Sequence, residues 1–254
     1  MIKVLVSGAL GRMGRTVIDA VKNDSELELV GAVDIFDGKV DGLKVETDLK
    51  SALEKFQPDV MVDFTRPDSV FKNVMIALEK KVSPVVGTTG LTDEQKNKIS
   101  QASEENQTPA FIAPNFAIGA VLMMLLSQKV AKYMPEVEII ELHHDKKLDA
   151  PSGTAELTAK MISEVRAKHF QGNPDGVEKL PHARGADYEG MKIHSVRLPG
   201  YVAHQEVIFG GLGQTLTIRH DSMGRDSFMP GVLLACKKVR GLKGLTIGLD
   251  KILD

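Results

Sequence analysis

Fifteen residues hold two imidazoles, a lysine and a small polar turn: Glu141-Leu-His-His-Asp-Lys-Lys-Leu-Asp-Ala-Pro-Ser-Gly-Thr-Ala155. His143 and Lys147 are groups that can hand over or take up a proton. Val137 to His143 alternates as a strand, with Val137, Ile139, Glu141 and His143 on one face and Glu138, Ile140, Leu142 and His144 on the other. If the strand runs that far, the two imidazoles point in different directions and do different work. Pro151-Ser152-Gly153-Thr154 then opens a helix predicted to run to about His169. The unpaired N–H groups of such a start, at Ser152, Gly153 and Thr154, offer a seat to a carboxylate or phosphate. Two histidines ahead of a lysine suit a solvated surface strand equally well. The Pro-Ser-Gly-Thr turn beside them favours a proton-transfer pair next to an anion seat.

The elements ahead of this stretch alternate strand and helix. Ile2 to Ser7 reads as a buried parallel strand, followed by Gly8-Ala-Leu-Gly-Arg-Met-Gly14 and a helix to about Lys22. A second strand, Leu29 to Val33, ends at Asp34, twenty residues beyond Gly14. A glycine turn between strand and helix lets backbone approach a pyrophosphate, and the acid accepts from a ribose hydroxyl. The spacing is G-x-x-G-x-x-G, with Leu10 where the common fingerprint has its second glycine. Further strands are expected at Asp59–Asp63, Pro84–Val86 and Ala110–Ile112, with helices over about 68–80 and after Thr92, where Gln95 completes a capping box. The pattern predicts an α/β fold with a doubly wound, Rossmann-type parallel sheet. Gly8, Asp34, Thr65, Gly87 and Asn115 would gather at the carboxyl ends of its strands, where such sheets bind ligands.

After a buried helix over Ala117–Tyr133, the pattern changes. Gln171 to Gly190 reads as a long loop. Three alternating runs follow without helices between them: Met191–Leu198, Tyr201–Phe209 and Gln214–His220. They predict a second, α+β domain on a mixed sheet, in which His194, His204 and His220 are structural. A helix over Asp226–Arg240 and a last strand over Gly244–Leu249 would return to the first sheet. The expected division is 1–116 with 225–254 for the dinucleotide and 117–224 for substrate and oligomerisation. A net charge of −2 gives no reason to expect nucleic acid or an anionic membrane as partner. The single cysteine, Cys236, permits no internal disulfide and argues against a thiolate zinc site, and no metal is expected. With no signal peptide evident and no apolar run long enough to span a bilayer, a cytoplasmic protein is expected.

The sequence resembles the 4-hydroxy-tetrahydrodipicolinate reductase (dihydrodipicolinate reductase) family along its whole length. Glu141-x-His-His-x-x-Lys-x-Asp-x-Pro-Ser-Gly-Thr-Ala155 carries the resemblance most specifically. Gly8-x-x-Gly-Arg-Met-Gly14, Asp63-Phe-Thr65, Gly87-Thr-Thr-Gly90 and Asn115-Phe116 occur in the matching order. The resemblance implies NAD(P)H-dependent reduction of a small cyclic dicarboxylate in diaminopimelate and lysine biosynthesis. It implies that Gly8, Ala9, Leu10, Gly11, Arg12 and Met13 hold the pyrophosphate and Asp34 the adenosine ribose. Gly87, Thr88 and Thr89, with Ala113, Pro114, Asn115 and Phe116, would line the nicotinamide side. His143 matches the family's acid/base histidine, Lys147 its proton-donating lysine and His144 a substrate-binding histidine. Gly153 and Thr154 match backbone that grips a carboxylate. Members are commonly homotetramers. Asp34 favours NADH, whereas Arg12 and Lys39 leave room for NADPH, so both cofactors are expected. The alternatives are another nicotinamide-dependent small-acid dehydrogenase and a dinucleotide-sensing regulator.

Overall fold

A computed structural model describes residues 1–253. In chain order, β1 (Ile2–Ser7), α1 (Arg12–Lys22) and β2 (Leu27–Val33) form the opening βαβ unit. A short hairpin, β3 (Gly38–Val40) and β4 (Leu43–Val45), leads to α2 (Leu49–Phe56). Then come β5 (Val60–Asp63), α3 (Val70–Glu79), β6 (Ser83–Val86), α4 (Asp93–Glu105) and β7 (Ala110–Ile112). The second half holds α5 (Ile118–Ala131), β8 (Glu136–His143), α6 (Gly153–Ser163), β9 (Ala186–Tyr188), β10 (Met191–Arg197), β11 (Ala203–Gly211) and β12 (Gln214–Ser222). The chain closes with α7 (Met229–Lys238) and β13 (Leu245–Ile247). Two compact units result, one of residues 1–118 with 225 onward, the other of 119–224.

The first unit is built on a six-stranded sheet ordered β13-β7-β6-β5-β1-β2, parallel throughout. Its inner strands, β1, β5, β6 and β7, are largely buried runs, as a sheet covered on both faces requires. α1 buries Gly14, Val17, Ile18 and Val21, one stripe at helical spacing. α4 opens with the expected capping box: Gln95 N–H donates to the Thr92 hydroxyl and Thr92 N–H to the Gln95 side chain. The last strand pairs with β7, so the end of the chain returns to the first sheet.

The second unit is a mixed five-stranded sheet ordered β12-β11-β8-β10-β9. β8 is its central strand, parallel to β10 and antiparallel to β11. Val137, Ile139 and Glu141 form the fully buried face of β8, against which α6 packs.

Four expectations need correction. The helix after Ser152 stops at Ser163, well short of His169. Beyond it, Arg166 donates to the backbone oxygens of Pro135, Glu189 and His169, and Gln171 pairs with both N–H and C=O of Val137. These tertiary bonds claim the segment that helix propensity alone would continue. The loop from Gln171 to Gly190 is not wholly irregular, because β9 adds an antiparallel strand to β10. The helix expected from Asp226 starts as a 3-10 turn and becomes α-helical only at Met229, with Pro230 in its first turn, where a missing N–H costs nothing. The hairpin β3–β4 and α2 lie in a stretch where no element was expected.

Gly231 in α7 lies against the Phe116 carbonyl: a Cβ there would sit 2.1 Å from that oxygen. A Cβ at Gly241 meets no heavy atom within 4 Å. Gly231→Ala is expected to cost about 1–3 kcal/mol through overpacking, visible as a Tm lower by several degrees, while Gly241→Ala leaves Tm nearly unchanged. Equal Tm values for the two variants would contradict this packing.

Candidate active site

The motif stretch is organised around one carboxylate. Glu141, on the central strand, is fully buried. Its Oε1 accepts from Arg197 Nη2 at 2.7 Å and from the Ser152 N–H at 3.2 Å; its Oε2 accepts from Arg197 Nη1 at 2.8 Å and meets His143 Nδ1 at 2.5 Å. Burial works to raise the Glu141 carboxyl, but hydrogen bonds from His143 and Arg197, and from Ser195, prevail and hold it at about 2. An ionised carboxylate only accepts, so His143 must carry its proton on Nδ1, which leaves Nε2 as the nitrogen free to take or give one.

The same carboxylate fixes the start of α6. Ser152 caps the helix, its hydroxyl accepting from Ala155 N–H, while its own N–H is used by Glu141. The N–H groups of Gly153 and Thr154 have no acceptor among the described residues, and a Cβ at Gly153 would meet only open space. Two adjacent open amides at the positive end of a helix form an anion seat. Thr158, one turn on, donates to Thr154 O and accepts from the buried Gln205 of β11, which pins the helix to the sheet.

Lys147 lies in the turn between β8 and α6, largely buried, with its ammonium on both oxygens of Asp149 at 2.7 and 2.8 Å. That ion pair holds the Asp149 carboxyl below its usual range. Arg197 also donates to the Asp149 carbonyl at 2.8 Å, so it ties this turn to β10. β8 ends at His143, as expected, and His144 follows it, exposed. Lys146 is exposed and has no ion partner among the described residues. Three of the other histidines meet carboxylates, His169 at Glu136 among them. His194 meets Glu138, while His204 meets Asp221 and accepts from Val202 N–H. His220 packs against Gly119.

In the first unit, Gly8 has a φ of +83°, and a Cβ there would strike the Phe64 backbone. A Cβ at Gly14 would lie 2.0 Å from Gly8 O. The turn is thus drawn tight over the start of α1, whose cap, Gly11, has no side chain to satisfy the first amides. Ala9 is buried, Leu10 and Met13 are half-buried, and Arg12 is exposed. Asp34 lies beside this turn: Oδ2 accepts from Leu10 N–H at 2.9 Å, and Oδ1 has only a long 3.5 Å contact with Phe36 N–H. A cradle of this shape, with open helix-start amides and an acid at its side, fits a dinucleotide.

On the other expected side of the cofactor, a second buried carboxylate, Asp63, joins two loops. It accepts from the N–H and hydroxyl of Thr65, from the Thr88 hydroxyl and from the Asn73 amide. The Thr88 side chain is therefore spent inside the protein, whereas Thr89 is exposed. A Cβ at Gly87 would lie 2.1 Å from the Phe64 ring. Phe116 is buried, its ring 5.9 Å from Phe64 and 6.1 Å from Phe111, so its surroundings are those of core. Ala113 is buried, Pro114 is exposed, and Asn115 accepts from Ala117 N–H.

Sequence reasoning gave Glu141 no role and did not find Arg197. The signal for Glu141 was a charged residue on the face of Val137 and Ile139, in phase with His143. For Arg197, fifty-six residues from Glu141 in the chain, no local signal exists. Among the described residues no cluster of His, Cys, Asp and Glu could hold a metal ion, and no helix is long and apolar enough to cross a membrane.

Known proteins are similar over the whole chain. The family description "Dihydrodipicolinate reductase, N-terminus" matches residues 2–116, and "Dihydrodipicolinate reductase, C-terminus" matches residues 119–253. The 4-hydroxy-tetrahydrodipicolinate reductase of Halalkalibacterium halodurans is 54% identical, and that of Enterococcus faecalis 53%, each with 100% of both chains covered. A solved dihydrodipicolinate reductase from Paenisporosarcina sp. TG-14, with dipicolinate bound, superposes with a TM-score of 0.94 at 47% identity, covering all of both chains. An amine dehydrogenase from Mycobacterium smegmatis, 13% identical with a TM-score of 0.65 over 96% of this chain and 94% of its own, shares the fold.

The depressed Glu141 carboxyl has a consequence for stability. Its folded value of about 2 lies below the ordinary 4.5. The stabilisation is therefore complete above pH 4.5 and is lost as pH falls towards 2. Between pH 6 and pH 3 this group should take away roughly 2 kcal/mol of unfolding free energy. Urea unfolding at the two pH values should show a fall larger by about that amount in the wild type than in Glu141→Gln. Equal falls would mean that the carboxylate is not held ionised.

Proposed function

Because this chain belongs to the dihydrodipicolinate reductase family, we propose a division of labour among its residues for the family's reaction. The activity is NAD(P)H-dependent reduction of 4-hydroxy-tetrahydrodipicolinate to tetrahydrodipicolinate, a step of diaminopimelate and lysine biosynthesis. A chain that matches this family end to end has no need of the readings as another small-acid dehydrogenase or a dinucleotide-sensing regulator.

The nicotinamide, when bound, supplies a hydride to a ring carbon of the conjugated, dehydrated substrate. The substrate is a cyclic dicarboxylate, which requires two anion seats. Gly153 and Thr154 N–H groups, with Ser152 at the cap, take one carboxylate; Lys147 and His144 serve the other. The Lys147 ammonium leaves Asp149 as the substrate carboxylate arrives, exchanging one anion for another. Electron density that develops on the ring is then protonated by a positioned acid, the role of His143 with Lys147. The observation that carries this reading is the shared carboxylate of Glu141, which links the Nδ1 of His143 to the helix start that holds the open amides.

Gly8, Ala9, Leu10, Gly11, Arg12 and Met13 form the pyrophosphate cradle, and Asp34 accepts from the adenosine ribose through Oδ1. Gly87, Thr88 and Thr89, with Ala113 to Phe116, border the nicotinamide; Thr88 and Phe116 do so through backbone. Both NADH and NADPH are taken as cofactors, since Asp34 suits a free 2′-hydroxyl and Arg12 an added phosphate. The assembly is a homotetramer joined through the second unit's sheet, whose outer side carries the half-buried Ile140, Leu142 and Ile208. The location is cytoplasmic.

Lys147→Ala is expected to lower kcat by about 10²- to 10⁴-fold with cofactor affinity nearly unchanged, while Lys146→Ala does little. Oxidation of NADH and NADPH with enzymatically generated substrate provides the assay. Near-wild-type turnover in Lys147→Ala, or a crippled Lys146→Ala, would remove Lys147 from the reaction.

Asp34→Ala takes an acceptor from both the ribose and the Leu10 amide, so affinity for both cofactors should fall. NADH should lose roughly tenfold more than NADPH, on the scale of one hydrogen bond to a charged group. Equal losses in titrations of the two would leave Asp34 with the loop alone.

A further inference from the structure

We propose that Glu141 and Arg197 act as positioning residues that fix which nitrogen of His143 reacts. Glu141 holds Nδ1 so that Nε2 is the proton donor, and Arg197 holds Glu141 together with the turn that carries Lys147. This rests on the reading of His143 as the acid.

The groups around His143 make the arrangement one-sided. On its own strand it meets Glu141. On β10 its register partner is Arg197, whose Nη1 and Nη2 are spent on Glu141 and on the Val196 and Asp149 carbonyls. On β11 its partner is the uncharged Ala203. At the start of α6, Ser152 N–H points at Glu141. In the turn, Lys147 and Asp149 neutralise each other. Glu141 is thus the group that contacts the ring with charge, and it does so at Nδ1. In the step itself the Nε2–H bond breaks, its electrons stay on Nε2, and the proton joins the electron pair on the substrate ring carbon as a new C–H bond. His143 is left neutral with its proton on Nδ1, and Nε2 is reprotonated from solvent.

Arg197 makes this assignment stricter than a simple carboxylate–imidazole pair. In Glu141→Gln, the oxygen position that satisfies both Arg197 Nη2 and Ser152 N–H is that of Oε1. The amide NH2 then occupies the Oε2 position and donates to His143 Nδ1. The reverse orientation sets NH2 against two donors at once, which is worse than the single clash with Arg197 Nη1. The neutral ring must accept at Nδ1 and carry its proton on Nε2. A ring so held is a poor acid, because its cation would place Nδ1–H against the amide NH2. In Ser-His-Asp triads an Asp→Asn exchange traps the wrong tautomer and cripples turnover in the same way.

The test is nitrogen NMR of protein labelled with 15N-histidine, with His143 assigned among the seven histidines by its loss in His143→Ala. The wild type should show His143 protonated on Nδ1 throughout its titration, and Glu141→Gln should show the Nε2–H tautomer. Its kcat should fall at least about 10²-fold, with cofactor affinity unchanged. Near-wild-type turnover in His143→Ala would overturn the reading on which the inference stands. A crippled His143→Ala alongside an active Glu141→Gln, or one whose tautomer is unchanged, overturns the inference alone. So does a wild-type spectrum with a neutral His143 protonated on Nε2, an outcome that needs no variant to fold.

Discussion

A buried carboxylate gripped by one arginine sets the geometry of the second unit. Glu141 is fully buried on the central strand of its sheet, and Arg197 reaches it from β10 with two N–H···O bonds, one to each oxygen. Removing a carboxylate from water costs several kcal/mol, and a pair of this kind is often no better for stability than apolar side chains of the same size. Its value here lies in what it connects. Each Glu141 oxygen serves Arg197 and one further group, Ser152 N–H or His143 Nδ1, while Arg197 reaches on to the Asp149 carbonyl. The helix start, the imidazole and the turn bearing Lys147 are thereby tied to one ion pair.

The first unit uses a carboxylate differently. Asp63 is also fully buried, but neutral donors from Thr65, Thr88 and Asn73 surround it, with no cation paired to it among the described residues. It holds the loops after β5 and β6 together at the carboxyl edge of the parallel sheet. The close approaches at Gly8 and Gly87 to the Phe64 backbone and ring tighten the same edge. Rigid loops at that edge suit a cofactor whose ring must be held in one orientation. In the function proposed above, the first unit presents the cofactor and the second arranges the acid and the anion seat.

Much of this was legible from local pattern. Hydrophobic runs bounded by Gly, Thr and Pro marked six strands of the first unit, and Thr92 with Gln95 announced a helix start that the structure contains. The Ser152 cap was readable too, because capping depends on residues a few positions apart. What could not be read depends on distance in sequence. Arg197 meets Glu141 across fifty-six positions, and Gln171 ends the reach of the helix after Ser152 by pairing with Val137, thirty-four residues before it. The hairpin at Gly38–Val45 has strands of only three residues, too short for alternation to show. The end of β8 at His143, by contrast, was legible.

The most direct measurement is a double-mutant cycle between Glu141 and Arg197 on unfolding free energy at neutral pH, using Glu141→Gln, Arg197→Met and the pair. If the ion pair holds the unit as described, each single variant leaves a buried polar group unpaired and loses about 3–5 kcal/mol. The double variant should then lose no more than the worse single, which is a coupling of about 3 kcal/mol or more. Losses that simply add in the double variant would contradict the account, since the two residues would then be acting independently.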